Sequence, residues 1–158
     1  MRSLFLTCCC VALLAGCSGQ PAPQPEGEEV LGPGRFPHSV IHKTIAPWDG
    51  HALQLFLSEK PMAKRKEVPP YVSIRIYSGA SEVSKQRVRV EGTESRRGQA
   101  MWIKGPAEDT PLDWAEIDFE EIQEGKPVKG KYTIAFPDGK RERGRFEAVW
   151  WPSEARGG

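Results

Sequence analysis

KYTIAFPDGKRERGRFEAVWW, residues 131–151, is the stretch that decides the fold class of this chain of 158 residues. On both sides of its centre, apolar and polar side chains alternate, which is the pattern of a half-buried β-strand. At the centre, Pro137 presets its φ angle, Asp138 tolerates the next turn position, and Gly139 can adopt the left-handed conformation. The stretch therefore predicts a β-hairpin. Each strand directs three side chains to one face: Tyr132, Ile134 and Phe136 in the first, and Phe146, Ala148 and Trp150 in the second.

The segment before this hairpin predicts a third strand with a polar outer face. Residues 108–124 hold eight acids and no base, whereas residues 126–145 hold seven bases and two acids. Opposite charges that face each other across strands contribute about 0.2–1 kcal/mol each, so the two blocks predict a three-stranded meander. The alternative is that the acids bind a cation or a basic partner. Alternation directs Ala115, Ile117 and Phe119 inward and Trp114, Glu116, Asp118 and Glu120 outward.

Similar short alternating segments recur through residues 38–152, and Gly, Pro or Asp bounds them. About eight strands at such regular spacing predict a single all-β domain, either an antiparallel β-sandwich or a barrel-like fold. The closing hairpin resembles that of many small exported bacterial β-domains of unassigned function. Residues 153–158 are expected to be a disordered tail. The strands are predicted near 38–46, 52–58, 71–78, 86–91, 99–104, 113–122, 128–136 and 142–151.

The N-terminus has the organisation of an export signal. Arg2 precedes an apolar run from Leu4 to Leu14, and small residues follow it. The run is shorter than the roughly 20 residues that a membrane helix needs. Its end, Leu14-Ala15-Gly16-Cys17, resembles the lipobox of bacterial lipoproteins. This resemblance covers residues 1 to about 18 and implies a signal peptide over residues 1–16, cleavage before Cys17, and acylation of its sulfur and new amine. The alternative is an ordinary signal peptide that contains cysteine.

The lipoprotein resemblance implies a location in the cell envelope. Two or three acyl chains would anchor the protein stably, since each buried CH₂ contributes about 0.8 kcal/mol. Ser18 follows the lipidated cysteine, which in diderm bacteria favours the outer membrane. Cleavage would remove the cysteines at positions 8, 9 and 10, so the folded domain would have no thiol for a disulfide or for chemistry.

Residues 17–37 predict a disordered tether between anchor and domain. The stretch holds prolines at 21, 23, 25, 33 and 37, several glycines and few large apolar side chains. A polyproline-like chain rises about 3.1 Å per residue, so residues 18–37 could span roughly 60 Å. Loss of Arg2 would leave equal numbers of bases and acids in the mature chain. This neutrality argues against a nucleic-acid partner, which usually requires a basic balance.

The side-chain pattern predicts neither a metal site nor a cofactor. His38 and His42 share a strand face, but they lie about 13 Å apart at strand rise, and His51 would reach them only if the turn at Asp49 folded back. No GxSxG motif marks a serine nucleophile. Glu116 and Asp118 have the separation of a glycosidase pair, about 5–9.5 Å, but so does every i, i+2 pair on a strand. The chain is therefore predicted not to be an enzyme.

Tryptophans and bases provide the candidate binding residues. Trp150 and Trp151 must point to opposite faces, so Trp151 could join Trp114 in an exposed platform for sugar rings or partner side chains. The alternative is that these indoles are covered. Residues 60–104 hold 11 bases and four acids, which either solvate an outer face or bind anionic envelope components. The bases include Lys64-Arg65-Lys66, Arg75, Arg87 and Arg89.

The predicted function is that of a lipid-anchored, non-catalytic binding or structural module of the cell envelope. Its expected partners are the membrane, through the anchor, and an envelope glycan or another envelope protein. The predicted binding residues are Trp114, Trp151, Glu116 and Asp118. One alternative is a carbohydrate-active enzyme or inhibitor that uses the acidic strand and Trp114. The other is an accessory lipoprotein of an envelope transport or assembly machine.

Overall fold

A computed structural model describes residues 32, 34–48, 50–63 and 68–152. Within these residues the chain forms nine strands and one short helix. In chain order they are β1 (His38–Ile45), β2 (His51–Ser58), β3 (Tyr71–Ile76), α1 (Ala80–Val83), β4 (Arg87–Glu91), β5 (Gly98–Ile103), β6 (Asp109–Pro111), β7 (Trp114–Phe119), β8 (Val128–Ala135) and β9 (Arg141–Trp150).

The strands form one mixed sheet in the order β4-β7-β8-β9-β1-β2-β3-β5-β6. Every pair is antiparallel except β1 and β9, which run parallel and join at Val40–Val149 and Ile41–Trp150. The sheet curls into a half-barrel, and its inner face encloses the main core. The prediction of an all-β domain with a sandwich or barrel-like form is therefore confirmed, and the meander of β7, β8 and β9 is as expected.

Three details differ from the predicted pattern. The parallel pair makes the sheet mixed, because β9 returns beside the first strand of the domain. β6 was not predicted, since its three residues, Asp109–Pro111, are too few and too polar to show an alternation. The segment between the predicted strands 71–78 and 86–91 contains the short helix α1, whose Glu82 carboxylate accepts a hydrogen bond from the Gly79 N–H at 3.3 Å.

Alternation explains which side chains form the core. β3 and β7 bury every second residue completely or almost so, with Ile74 and Ile117 both 0% exposed. The predicted inward faces are confirmed, and Trp150 packs against the same cluster from the end of β9. The core also includes Leu53, Leu55 and Leu57 of β2, Ala115 and Phe119 of β7, Tyr132, Ile134 and Phe136 in and after β8, and Phe146 and Ala148 of β9.

The predicted hairpin joins β8 to β9. The Phe136 N–H donates to the Lys140 carbonyl at 2.9 Å, and the Gly139 N–H donates back to the Phe136 carbonyl at 2.9 Å. Gly139 has a φ of 82°, which is the left-handed conformation expected of it. The Asp138 carboxylate also accepts a hydrogen bond from the Lys140 N–H at 3.1 Å. The turn chemistry read from the sequence is therefore confirmed.

A leading segment, residues 34–37, joins the domain beside β9. Phe36 is 1% exposed and belongs to the main core, and its N–H donates to the Tyr132 hydroxyl at 3.4 Å. Gly34 has a φ of 65°, and a Cβ there would lie 2.5 Å from the Tyr132 hydroxyl, so only glycine fits. Burial raises the pKa of Tyr132. The structure thus packs the last residues of the predicted tether against the domain, whereas the signal peptide, Cys17 and the tail lie outside the described residues.

Candidate functional site

The predicted residues Trp114, Glu116 and Asp118 lie on the outer face of β4, β7, β8 and β9. Directly paired residues of neighbouring strands point to the same side of a sheet, so the register defines this surface, which we call the charged face. It holds seven bases and four acids. Its members are Arg87, Arg89 and Glu91 on β4, Trp114, Glu116 and Asp118 on β7, Lys129, Lys131 and Thr133 on β8, and Arg141, Arg143, Arg145 and Glu147 on β9.

The acid pair of β7 is bound by one arginine of β4. Arg87 Nη2 lies 3.2 Å from Asp118 Oδ2, and Arg87 Nε lies 3.8 Å from Glu116 Oε1. Asp118 also faces Lys131 on β8, as the acidic block at residues 108–124 and the basic block at residues 126–145 predict. The pairing of β7 with β4 was not predicted, because 22 residues separate the two strands along the chain. These half-exposed ion pairs contribute about 0–1 kcal/mol each.

This arrangement bears on the carbohydrate-active alternative. Glu116 and Asp118 border a shallow depression of about 250 Å³, which Lys131, Thr133 and Arg143 also line. Glycoside hydrolysis needs a sugar between two carboxyl groups, one of them free to donate a proton. Here the Arg87 guanidinium contacts both carboxylates and occupies the space near them. The geometry gives no support to a catalytic pair.

Trp114 is half-buried between two arginines. The Arg89 guanidinium lies 4.1 Å from the centre of the indole ring, and the Arg141 guanidinium lies 5.7 Å from it. The two arginines reach the ring from strands on opposite sides of β7. Cation–π contacts at exposed sites contribute about 0.5–1 kcal/mol each. The ring of Trp114 is therefore already in contact with two arginines, and it is not an uncovered aromatic platform for a ligand.

The predicted pairing of Trp151 with Trp114 is wrong. Trp151 is only 9% exposed and packs in an outer cluster with Val40 and Phe56. Its ring centre lies 5.7 Å from that of Phe56 and 6.4 Å from that of His42. Trp114 is level with Arg141 at the start of β9, whereas Trp151 follows the end of that strand. The two indoles therefore lie at opposite ends of β9, because a ten-residue strand extends roughly 33 Å.

The remaining tryptophans have structural contacts. Trp150 packs against the main core, as alternation predicts. Trp102 packs edge-on against Phe136 at 4.9 Å, with the Arg35 guanidinium 5.3 Å from its ring centre. Trp48 is 55% exposed and contacts the ring of Tyr77, so it is the most exposed indole among the described residues.

Three arginines of β9 form a feature that is absent from the predicted binding residues. Arg141, Arg143 and Arg145 alternate along the strand, so all three point outward from the charged face, and all are exposed. We call them the arginine ladder. The sequence signal for the ladder is the alternation in RERGRFE, where every second residue before Glu147 is arginine. The predicted meander uses these arginines only as part of the basic block at residues 126–145.

The ion pairs of the charged face do not include the arginine ladder. Arg87 binds Glu116 and Asp118 as described above, and its neighbour on β4, Arg89, contacts Glu91 at 3.4 Å. Lys129 contacts Glu147 at 3.7 Å, which accounts for the last acid of the face. Among the described residues, no ion pair or hydrogen bond involves the side chains of the ladder; Arg141 has only its contact with Trp114. The ladder is thus the unneutralised part of this face.

The other predicted features do not form a site. His42 stacks on Phe56 at 5.6 Å and has its Nε2 3.2 Å from Gln54 Oε1, while His51 is exposed at the start of β2. Within the described ranges, no three His, Cys, Asp or Glu side chains lie close enough to hold a metal. The basic region 60–104 is divided between strands, because Arg75 lies on β3 and Arg87 and Arg89 lie on β4, and these two strands are not hydrogen-bonded to each other. Lys64, Arg65 and Lys66 lie outside the described residues, as does Asp49.

Comparison with known proteins gives no match to any family model, to any curated protein or to any solved structure. In the part of the chain that the structure describes, no helix is both long enough and apolar enough to cross a membrane.

Proposed function

We propose that this chain is a lipid-anchored, non-catalytic binding module of the bacterial cell envelope, and that it binds its ligand through the charged face. The observation that carries the proposal is the arginine ladder. Three exposed guanidinium groups stand in a row, and the acids of the same face are all paired with other bases. Such a row attracts an anionic ligand, because guanidinium groups donate paired hydrogen bonds to carboxylates and phosphates.

The anchoring half of the proposal is supported by the order of features along the chain. The lipobox and the Pro-rich stretch precede the domain, and residues 34–36 reach it beside β9. A carbohydrate-active function has less support, because Arg87 holds both carboxylates of the candidate acid pair.

Replacing Cys17 with alanine is expected to abolish anchoring, because the proposed lipid is attached to that thiol. The variant should accumulate as an unprocessed or soluble species, whereas the unaltered chain partitions into the detergent phase. Detergent-phase partitioning with mass analysis of the N-terminus measures this. A Cys8→Ala chain is the matched control, since it loses a cysteine of the signal peptide and should be anchored normally. A Cys17→Ala chain that is cleaved and membrane-bound as usual would contradict the lipoprotein assignment.

Binding through the charged face is expected to protect the ladder in the native envelope. Phenylglyoxal modifies exposed arginines, and peptide mass spectrometry reports the rate at each one. In isolated envelopes, Arg143 and Arg145 should react several-fold more slowly than in the same protein extracted into neutral detergent. The internal control is Arg96 and Arg97, which are both exposed and are not members of the charged face, and whose rates should match in the two preparations. Equal rates at the ladder in envelope and detergent would reject the charged face as the binding surface.

A further inference from the structure

We propose that the arginine ladder binds the phosphate groups of anionic phospholipid headgroups, so that the outer face of β8 and β9 lies on the membrane surface. This inference rests on the proposed function, since it names the ligand class of the same face. Three observations carry it: the spacing of the ladder, its unneutralised charge and its position beside the leading segment.

The spacing of the ladder suits a surface with repeated phosphates. Alternate residues of a strand lie about 6.6–6.8 Å apart on one face, so the three guanidinium groups are attached at regular intervals along roughly 13 Å. The described residues place the ladder beside two open depressions. Arg143 borders the one described above, and Arg145 borders another of about 370 Å³, which Glu120, Lys129 and Glu147 also line. A flat row of separate donors can contact several headgroups at once. It lacks the enclosing partners that would select one small anion.

The charge of the ladder is available for a membrane. Exposed lysines and arginines close to an anionic bilayer each strengthen binding by roughly fivefold. The acids that would oppose this attraction are already paired, Glu147 with Lys129 and Asp118 with Arg87. Trp114 lies at the Arg141 end of the ladder, and indole rings favour the headgroup region of a bilayer.

The position of the ladder places it where the chain approaches the domain. The Arg145 N–H donates to the Gly32 carbonyl at 3.0 Å, and the Arg143 carbonyl lies against Gly34. Gly32 and Gly34 therefore lie beside the same strand that carries the ladder. Cys17 precedes Gly32 by 15 residues. At about 3.3–3.6 Å per residue, a lipid on Cys17 keeps this strand within roughly 50 Å of the bilayer. Because the anchor holds the domain near the bilayer at a high effective concentration, contacts that are individually weak are enough to keep the ladder on the membrane surface.

The test reconstitutes the full lipidated chain into nanodiscs of phosphatidylcholine alone or of an equal mixture with phosphatidylglycerol. The anchor inserts in both, so only the contact of the domain with the headgroups differs. We expect the phenylglyoxal modification of Arg143 and Arg145 to be about fivefold slower in the anionic discs, and Arg96 and Arg97 to react equally in both. High salt should remove the protection, because it screens exposed charges beyond a few ångströms.

Matched charge variants provide a second readout. For the unaltered chain, energy transfer from the tryptophans to a dansyl headgroup should be greater in anionic discs than in neutral discs. The same increase is expected for the control variant Lys60→Gln/Arg96→Gln/Arg97→Gln. The increase should be lost in Arg141→Gln/Arg143→Gln/Arg145→Gln, although both variants lose three exposed bases. Both variants should stay folded, since none of the six side chains is buried, and their melting temperatures should differ only by the effect of the lost Arg141–Trp114 contact.

Two results would overturn the inference. One is equal modification of the ladder in neutral and anionic discs. The other is full protection in neutral discs by inorganic phosphate at matched ionic strength, which would make the ladder a site for a free anion. If the ladder is protected in native envelopes but not in anionic discs, the proposed function stands and its ligand is a different envelope component. If it is unprotected in envelopes, the proposed function itself fails.

Discussion

Phe146→Ala is expected to lower the free energy of unfolding by about 3–5 kcal/mol, as large-to-small changes of buried aromatic residues do. Phe146 is 6% exposed and its ring centre lies 6.0 Å from that of Phe119, edge to face. The ring also fills the space above Gly130, where a Cβ would lie 2.7 Å from Phe146 Cζ. Truncation therefore removes packing from the centre of the meander. The measurement is urea denaturation followed by circular dichroism.

The matched control is Val149→Ala on the same strand. Val149 is 58% exposed, so its truncation should change the unfolding free energy by no more than about 0.5 kcal/mol. Both variants should unfold in one cooperative transition that reductant does not affect, because the predicted mature domain has no cysteine pair. Equal stability of the Phe146→Ala and Val149→Ala chains would contradict the placement of the β9 inner face.

Trp151→Ala is expected to cost about 3–5 kcal/mol, since its indole is nearly buried. The indole contacts the rings of Phe56 and His42. The backbone N–H of Trp151, which alanine would keep, donates to the Ile41 carbonyl at 2.8 Å beside the parallel pair. The side chain therefore holds the outer cluster against β1. Thermal unfolding of the variant against the unaltered chain measures this effect.

Trp114→Ala is the comparison for Trp151→Ala. It removes a half-buried ring and two cation–π contacts of about 0.5–1 kcal/mol each, so it should destabilise the domain less. It should also free Arg89 and Arg141, which would then react faster with phenylglyoxal in detergent. Acrylamide should quench the exposed Trp48 and leave Trp151 protected. A Trp151→Ala chain with an unchanged melting temperature would show that its indole is exposed, as alternation alone suggests.

Trp151 shows why the predicted site was partly wrong. Alternation correctly places Trp150 and Trp151 on opposite faces, but it says nothing about what covers the outer one. The Trp151 indole is covered because it packs against Val40 and Phe56, which lie about a hundred residues earlier in the chain. Trp114, Glu116 and Asp118 were predicted on one outer face and lie there. Their partners Arg87 and Arg89 depend on a strand pairing that no local pattern encodes.

The amino-acid sequence by itself determined eight of the nine described strands, the inner faces and the hairpin at residues 137–139. These features depend on side-chain alternation and turn chemistry, which act between residues close in the chain. Only the tertiary structure decided the strand order, with β4 beside β7 and β1 parallel to β9. It also decided which charges remain unpaired, and so distinguished the arginine ladder from the ion-paired charges around it. The physical reason is that strand partners and ion pairs join residues far apart in sequence, and the energy that selects them comes from burying the whole inner face at once.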